Sequence, residues 1–73
     1  MAKPIRVRPD MGVWLVEIDA TRFAFNSGSQ AERAGRLRAA ACAEAGQNAV
    51  LEVFDLSNTL VASIPFRSTV AAR

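Results

Sequence analysis

Apolar and polar side chains alternate along the first part of the chain. Residues 5–8 read IRVR, so isoleucine and valine point to one side of an extended chain and the two arginines point to the other. The turn residues of PDMG follow at positions 9–12, and residues 13–19 form a second, more apolar run. This pattern predicts a β-hairpin.

The second strand of this hairpin is apolar on both faces. Trp14, Val16 and Ile18 lie on one face, and Val13 and Leu15 lie on the other. A strand with one face in solvent alternates between apolar and polar residues, so this strand needs cover on both sides.

A helix is predicted over about residues 30–45. Ser29 and Glu32 have the spacing of a capping box, and Gly46 stands where a left-handed C-cap is expected. Apolar side chains recur every three or four residues and predict the stripe that packs on a sheet, namely Ala31, Ala34, Leu37, Ala41 and Ala45. Because most of them are small, the helix is expected to lie close to the sheet.

Two further apolar runs, at residues 49–56 and 60–66, predict a second hairpin that turns near Asn58. The element order is therefore β-β-α-β-β, and residues 1–73 form one α+β domain with an ordered core at about residues 4–66. We expect an antiparallel four-stranded sheet with one helix packed on one face.

Two segments are less regular. Residues 20–26, ATRFAFN, keep some alternation and form either a short extra strand or an extended lead-in to the helix. The small, polar tail at residues 67–73 is expected to fray. The pattern leaves the strand order open.

The doubly apolar strands predict association. One helix of about 16 residues is about 24 Å long and covers a single face of the sheet. The open face is expected to expose a contiguous aliphatic patch, which monomers rarely do. A homodimer, formed through this face or by edge-strand pairing, is the simplest cover. The alternatives are a strongly coiled sheet with the tail across it, and a different protein partner. The predicted interface residues are Val13, Leu15, Leu51, Val53 and Val61.

The composition argues against the other features that usually stabilise a small domain, which are disulfides and structural metal ions. A chain of 73 residues has a thin core, and Cys42, its one cysteine, excludes an internal disulfide. The absence of histidine argues against a zinc site. The chain has neither a signal-peptide core nor an apolar run of about 18 residues, so we expect a cytoplasmic protein without membrane contact.

The sequence contains no recognisable active site. Serine nucleophiles have no histidine base, and Cys42 has no activating neighbour and is interpreted as a small buried hydrophobe. The strand carboxylates Glu17, Asp19, Glu52 and Asp55 match no metal loop and are expected to face solvent or pair with arginines. We therefore predict no catalytic residue, cofactor or metal, and an enzyme is the third hypothesis after association and nucleic-acid binding.

Nucleic-acid binding is the alternative function. The net charge is only +2, with nine basic and seven acidic residues. The arginines of the first strand, Arg6 and Arg8, and of the outer helix face, Arg33 and Arg36, form the candidate contact. No aromatic residue alternates with Arg6 or Arg8, so the stacking positions of a single-strand binder are missing.

Arg38 falls within the predicted apolar stripe of the helix. In one interpretation its stem lies along apolar surface and its guanidinium reaches solvent at the sheet edge. In the other it forms an ion pair with a strand carboxylate, Asp55 or Asp19.

The pieces WLVEI, SQAERAGRLRAAACAEAG and LEVFDLSNTL together resemble small bacterial proteins classed as domains of unknown function. Those proteins pair a Trp-x-Val strand with a capped alanine-rich helix and a final V-x-D-x-x-G hairpin. The resemblance covers about residues 5–66, although Asn58 stands near where that family often has glycine, and the basic residues after its last strand are few here. It implies a compact β-β-α-β-β fold and no catalytic residues.

Overall fold

The computed structural model describes residues 1–68 as one small α+β domain with a five-stranded sheet and a single helix. The predicted frayed tail therefore lies mostly outside the described residues. In chain order the elements are β1 (Lys3–Asp10), β2 (Val13–Ile18), β3 (Thr21–Phe25), α1 (Gly28–Glu44), β4 (Ala49–Phe54) and β5 (Leu60–Phe66).

The strands lie in the order β3-β2-β1-β4-β5, and β1 and β4 are the only parallel neighbours among them. The prediction of one α+β domain with a single helix is confirmed, but the four-stranded, wholly antiparallel sheet is wrong in the number of strands and in the direction of one of the four pairs. The extra strand is β3, formed by the segment whose alternation left two possibilities open. Because three strands precede α1, the helix returns the chain to the end of the sheet where β1 begins, and β4 starts beside β1 and runs with it.

The helix begins at Gly28, two residues earlier than its sequence predicts. Ser27 is the N-cap, and its hydroxyl accepts a hydrogen bond of 3.2 Å from the backbone N–H of Gln30. The predicted capping box of Ser29 and Glu32 is wrong, because Glu32 instead accepts from Arg36 one turn later at 2.9 Å. Serine is a favoured N-cap at either position, so residue type alone does not distinguish Ser27 from Ser29.

The buried stripe of α1 is also displaced from the predicted one. Its buried residues are Ala31, Gly35, Ala39 and Ala43, whereas Leu37 is 67% exposed. Gly35 has no side chain, so a stripe predicted from apolar side chains does not include it. A Cβ at this position would lie 2.8 Å from Cδ1 of Leu51 and 2.9 Å from Cγ2 of Val7, so the helix approaches the sheet where it has no side chain.

The core lies between α1 and one face of the sheet. Its largest side chains, all fully buried, are Ile5, Val7, Val16 and Leu51. Leu51 and Val53, predicted for the open face, lie on the helix side, because the register places them beside Ile5 and Val7. Glu52 stands between them in the chain and points to the opposite face, so alternation marks that face as the open one, and the assignment of Leu51 and Val53 was wrong.

Candidate association surface

The open face of the sheet carries a row of alternating charges across four strands. The register places Arg22 of β3 opposite Glu17 of β2, Glu17 opposite Arg6 of β1, and Arg6 opposite Glu52 of β4. Opposite charges at facing positions stabilise neighbouring strands. The centre of this face is therefore charged, whereas its sequence predicted an aliphatic surface.

Ion pairs connect members of this row to one another and to Arg8, which lies on the same face of β1. Arg8 donates two hydrogen bonds to Glu17, from Nε at 3.0 Å and from Nη2 at 2.9 Å. Arg22 Nε lies 3.3 Å from the same carboxylate, and Arg6 Nε lies 2.9 Å from Glu52. The hydrogen bonds from Arg8 lower the pKa of Glu17, and Glu17 in turn raises the pKa of Arg8.

The five residues predicted for the interface do not form one surface. Val13 and Leu15 lie on the open face of β2, but Leu15 is only 7% exposed beside its cross-strand neighbours Arg8 and Ala24. Val61 is 59% exposed on the outermost strand at the other side of the sheet. With Leu51 and Val53 beneath the helix, the proposed contiguous patch is absent from the described residues.

The arginines of the nucleic-acid alternative are also separated. Arg6 and Arg8 lie on the open face, whereas Arg33 and Arg36 lie on the helix that covers the opposite face. Arg6, Arg8 and Arg36 each form an ion pair with a glutamate of the same chain. The four side chains therefore do not make a single basic surface for a phosphate backbone.

Arg38 reaches the sheet edge, as the first interpretation of its position predicts. Its guanidinium carbon lies 4.3 Å from the ring centroid of Phe23 on the edge strand β3, which is a cation–π contact. The carboxylates offered as ion-pair partners are otherwise engaged. Asp19 binds Lys3 at 2.8 Å, and Asp55 accepts hydrogen bonds from Ser57 and Thr59 within its turn, which lower the pKa of Asp55.

The remaining candidates for chemistry are Cys42 and the metal-ligating side chains. Cys42 is half-buried and packs against the core cluster. Within residues 1–68 no group of three or more histidine, cysteine, aspartate or glutamate side chains could hold a metal ion. No helix in this range has the length and apolar character needed to cross a membrane.

The two edges of the sheet differ. In β5, Pro65 has no N–H to donate, and the register with β4 shifts between Val53 and Phe54. Neither feature occurs in β3, whose five residues pair with β2 without interruption. Proline and bulges are two of the devices with which sheets discourage pairing at an edge, and β3 has neither. Charged side chains are another, but the one charge of β3, Arg22, lies 3.3 Å from Glu17 of the same chain. The edge at β3 is therefore the less protected of the two.

The outward backbone groups of β3 follow from its hairpin. The β2–β3 loop has two residues and is flanked by the pair Ile18 and Thr21. In such a hairpin the flanking pair is hydrogen-bonded, and bonded and non-bonded pairs then alternate along the strands. Arg22 and Ala24 therefore turn their N–H and C=O groups towards the open edge.

A shallow groove runs between β3 and the first half of α1. It has an apolar side formed by half-buried Phe25 and exposed Leu37, and a polar end near the start of the helix. Its lining residues are Phe25, Ser29, Gln30, Arg33, Ala34 and Leu37. The groove and the open edge together form the candidate association surface.

The sequence pattern does not reveal this surface, because it predicts other positions for both halves. The alternation of TRFAF already placed Phe23 and Phe25 on one side of a possible strand, but without a strand order it could not be recognised as an edge. Leu37 falls in the predicted apolar stripe of the helix, so the sequence pattern predicts that it is buried and does not indicate its exposure.

Comparison of the chain with models of protein families, with curated proteins and with solved structures gave no match in any of the three. The resemblance to domains of unknown function therefore stays a prediction.

Proposed function

We propose that this protein acts by association, by accepting an extended strand at the open edge of β3, and that it has no catalysis of its own. The observation that carries the proposal is the contrast between the two edges, because Pro65 and a register shift interrupt β5 and nothing comparable interrupts β3. Unpaired backbone groups on a regular edge recruit further strands.

The side chains around β3 favour a strand as the occupant. Backbone hydrogen bonds at Arg22 and Ala24 would supply affinity, and the alternate side chains of the added strand would supply specificity. Phe23 and Phe25 are half-buried on the helix side of this edge. The groove towards Leu37 leaves apolar surface there for the side chains of an added strand.

Photocrosslinking in cells that express the full chain tests this proposal. A p-benzoylphenylalanine at Thr21 places the reactive group on β3, and the same residue at Ser63 places it on β5; both positions are exposed. We expect crosslinks to a polypeptide, either a second copy or another protein, from position 21 and not from position 63.

A matched pair of proline variants tests whether those crosslinks need the edge. Ala24→Pro removes an outward N–H of β3, and Ser63→Pro makes the same change on β5, where Pro65 already stands. With the crosslinker at position 21, Ala24→Pro should lower the yield about tenfold and Ser63→Pro should leave it unchanged. Thermal melts check that both variants fold. Equal crosslinking from both positions, or crosslinks that persist in folded Ala24→Pro, would contradict the proposal.

A further inference from the structure

We propose that the strand accepted by β3 is β3 of a second copy of the chain, running antiparallel with Phe23 opposite the partner's Phe23. This inference rests on the proposed function and names the partner. A two-fold axis perpendicular to the sheet at Phe23 would join the two sheets edge to edge, with both helices on the same side.

The backbone of β3 is self-complementary in this register. Arg22 and Ala24 carry the outward N–H and C=O groups, so pairing Arg22 with the partner's Ala24, and the reverse, makes two hydrogen-bonded pairs. Phe23 then forms the non-bonded pair on the axis between them. Every residue of Thr21–Phe25 has an opposite residue within the partner's strand.

Arg22 is the one charged residue of β3, and it decides between registers. Pairing Arg22 with the partner's Arg22 would place like charges directly opposite each other, which destabilises antiparallel pairs. Pairing Ala24 with the partner's Ala24 would move the contact out of the strand onto Asn26. The register centred on Phe23 avoids both and places Arg22 opposite a neutral residue, while Glu17 of its own chain stays 3.3 Å away.

The side chains on the helix side of β3 also favour a second copy of the chain as the partner. Because the axis is perpendicular to the sheet, the partner's aromatic residues enter on the face that carries Phe23 and Phe25. Non-bonded pairs bring side chains closest together, so the two Phe23 rings meet at the axis and gain from aromatic packing. In each copy the guanidinium carbon of Arg38 lies 4.3 Å from the ring centroid of its own Phe23.

Sedimentation equilibrium of the purified chain tests the identity of the occupant. The contact is small, so we expect the mass to rise from one chain to two between about 1 μM and about 1 mM. Ala24→Pro should stay monomeric over this range, and Ser63→Pro should dimerise like the parent chain. A monomer mass at the highest concentration would overturn the inference, as would a folded Ala24→Pro variant that dimerises normally.

Single cysteines test the register in a chain whose native thiol is removed by Cys42→Ala. After oxidation, a mixture of Thr21→Cys and Phe25→Cys, which both keep Arg22, should form a disulfide between the two variants, because these opposite residues have Cα atoms within disulfide range. A higher yield of disulfide dimer from a mixture of Thr21→Cys and Phe23→Cys, which are opposite when Arg22 faces Arg22, would overturn the register centred on Phe23.

The two proposals fail in distinguishable ways. A monomer in solution, together with edge-dependent crosslinks from Thr21 to a different polypeptide, overturns the second copy and supports strand acceptance. A monomer with no edge-dependent crosslink overturns both.

Discussion

The two faces of the sheet are stabilised by different means, although the sequence places apolar residues on both of them. Beneath the helix, Leu51 is fully buried at the point where Gly35 brings the backbone of α1 close to the sheet. On the open face, Leu15 is 7% exposed although no helix covers it, and its neighbour Arg8 is held by two hydrogen bonds to Glu17. A second apolar face therefore does not by itself indicate a partner, because charged side chains on adjacent strands can cover it within one chain.

The largest expected effect compares one residue type on the two faces. Leu51→Ala should lower the free energy of unfolding by about 3 kcal/mol, because it leaves a cavity under the helix. Leu15→Ala should cost about 2 kcal/mol, since long side chains and water can fill the space at an open face. Leu56, which is 81% exposed, gives the control, and Leu56→Ala should cost less than about 0.5 kcal/mol.

Urea denaturation at low micromolar concentration measures these changes without a contribution from self-association. If Leu15→Ala cost as little as Leu56→Ala, the open face would not bury Leu15, and a partner would again be needed to cover it.

A smaller effect tests how closely the helix lies on the covered face. Gly35→Ala gains about 1 kcal/mol of helix propensity, but its Cβ would lie within 3 Å of both Leu51 and Val7. We expect a net destabilisation of about 1 kcal/mol, because the overpacking exceeds the gain. Ala41→Gly, at an exposed position of the same helix, calibrates the propensity term. A stabilised Gly35→Ala would contradict the close approach.

The sequence predicted most elements but not how they meet. Both hairpins, the helix and the turn at Asn58, with φ of 63°, follow from local patterns of periodicity and turn chemistry. The direction of β4 depends on whether the segment before the helix is a strand, and one extra strand reverses it. That decision rests on pairing between β2 and β3, which is tertiary and has only a weak local signal.

The candidate site was the least predictable part. An edge is defined by the strand order, which the pattern left open. The error in β4 has a different cause, because Glu52, which alternates with Leu51 and Val53, already marks the opposite face as the charged one. Arg38 was predictable because its position within an apolar stripe demands an exit for the guanidinium, and the sheet edge provides it.

The ion pairs of the open face predict a dependence of stability on pH. The pKa of Glu17 is lowered in the folded chain, so its contribution is present above the ordinary pKa of a glutamate and is lost as pH falls through the folded value. Glu17→Gln should cost about 1 kcal/mol near neutral pH and make the free energy of unfolding fall less steeply in acid. Asp10→Asn, at the exposed end of β1, is the control and should cost less than about 0.5 kcal/mol near neutral pH. An acid profile that Glu17→Gln does not alter would contradict the role assigned to this carboxylate.

The smallest effect separates the exposed part of the same row from its centre. The side chains of Arg6 and Glu52 are 53% and 24% exposed, compared with 26% and 18% for Arg8 and Glu17. A double-mutant cycle with Arg6→Met and Glu52→Gln should give a coupling energy of about 0.5 kcal/mol, because solvent screens the pair. The coupling should fall further in about 1 M salt. A coupling as large as the cost of Glu17→Gln would mean that the whole row, and not only its bidentate centre, stabilises the open face.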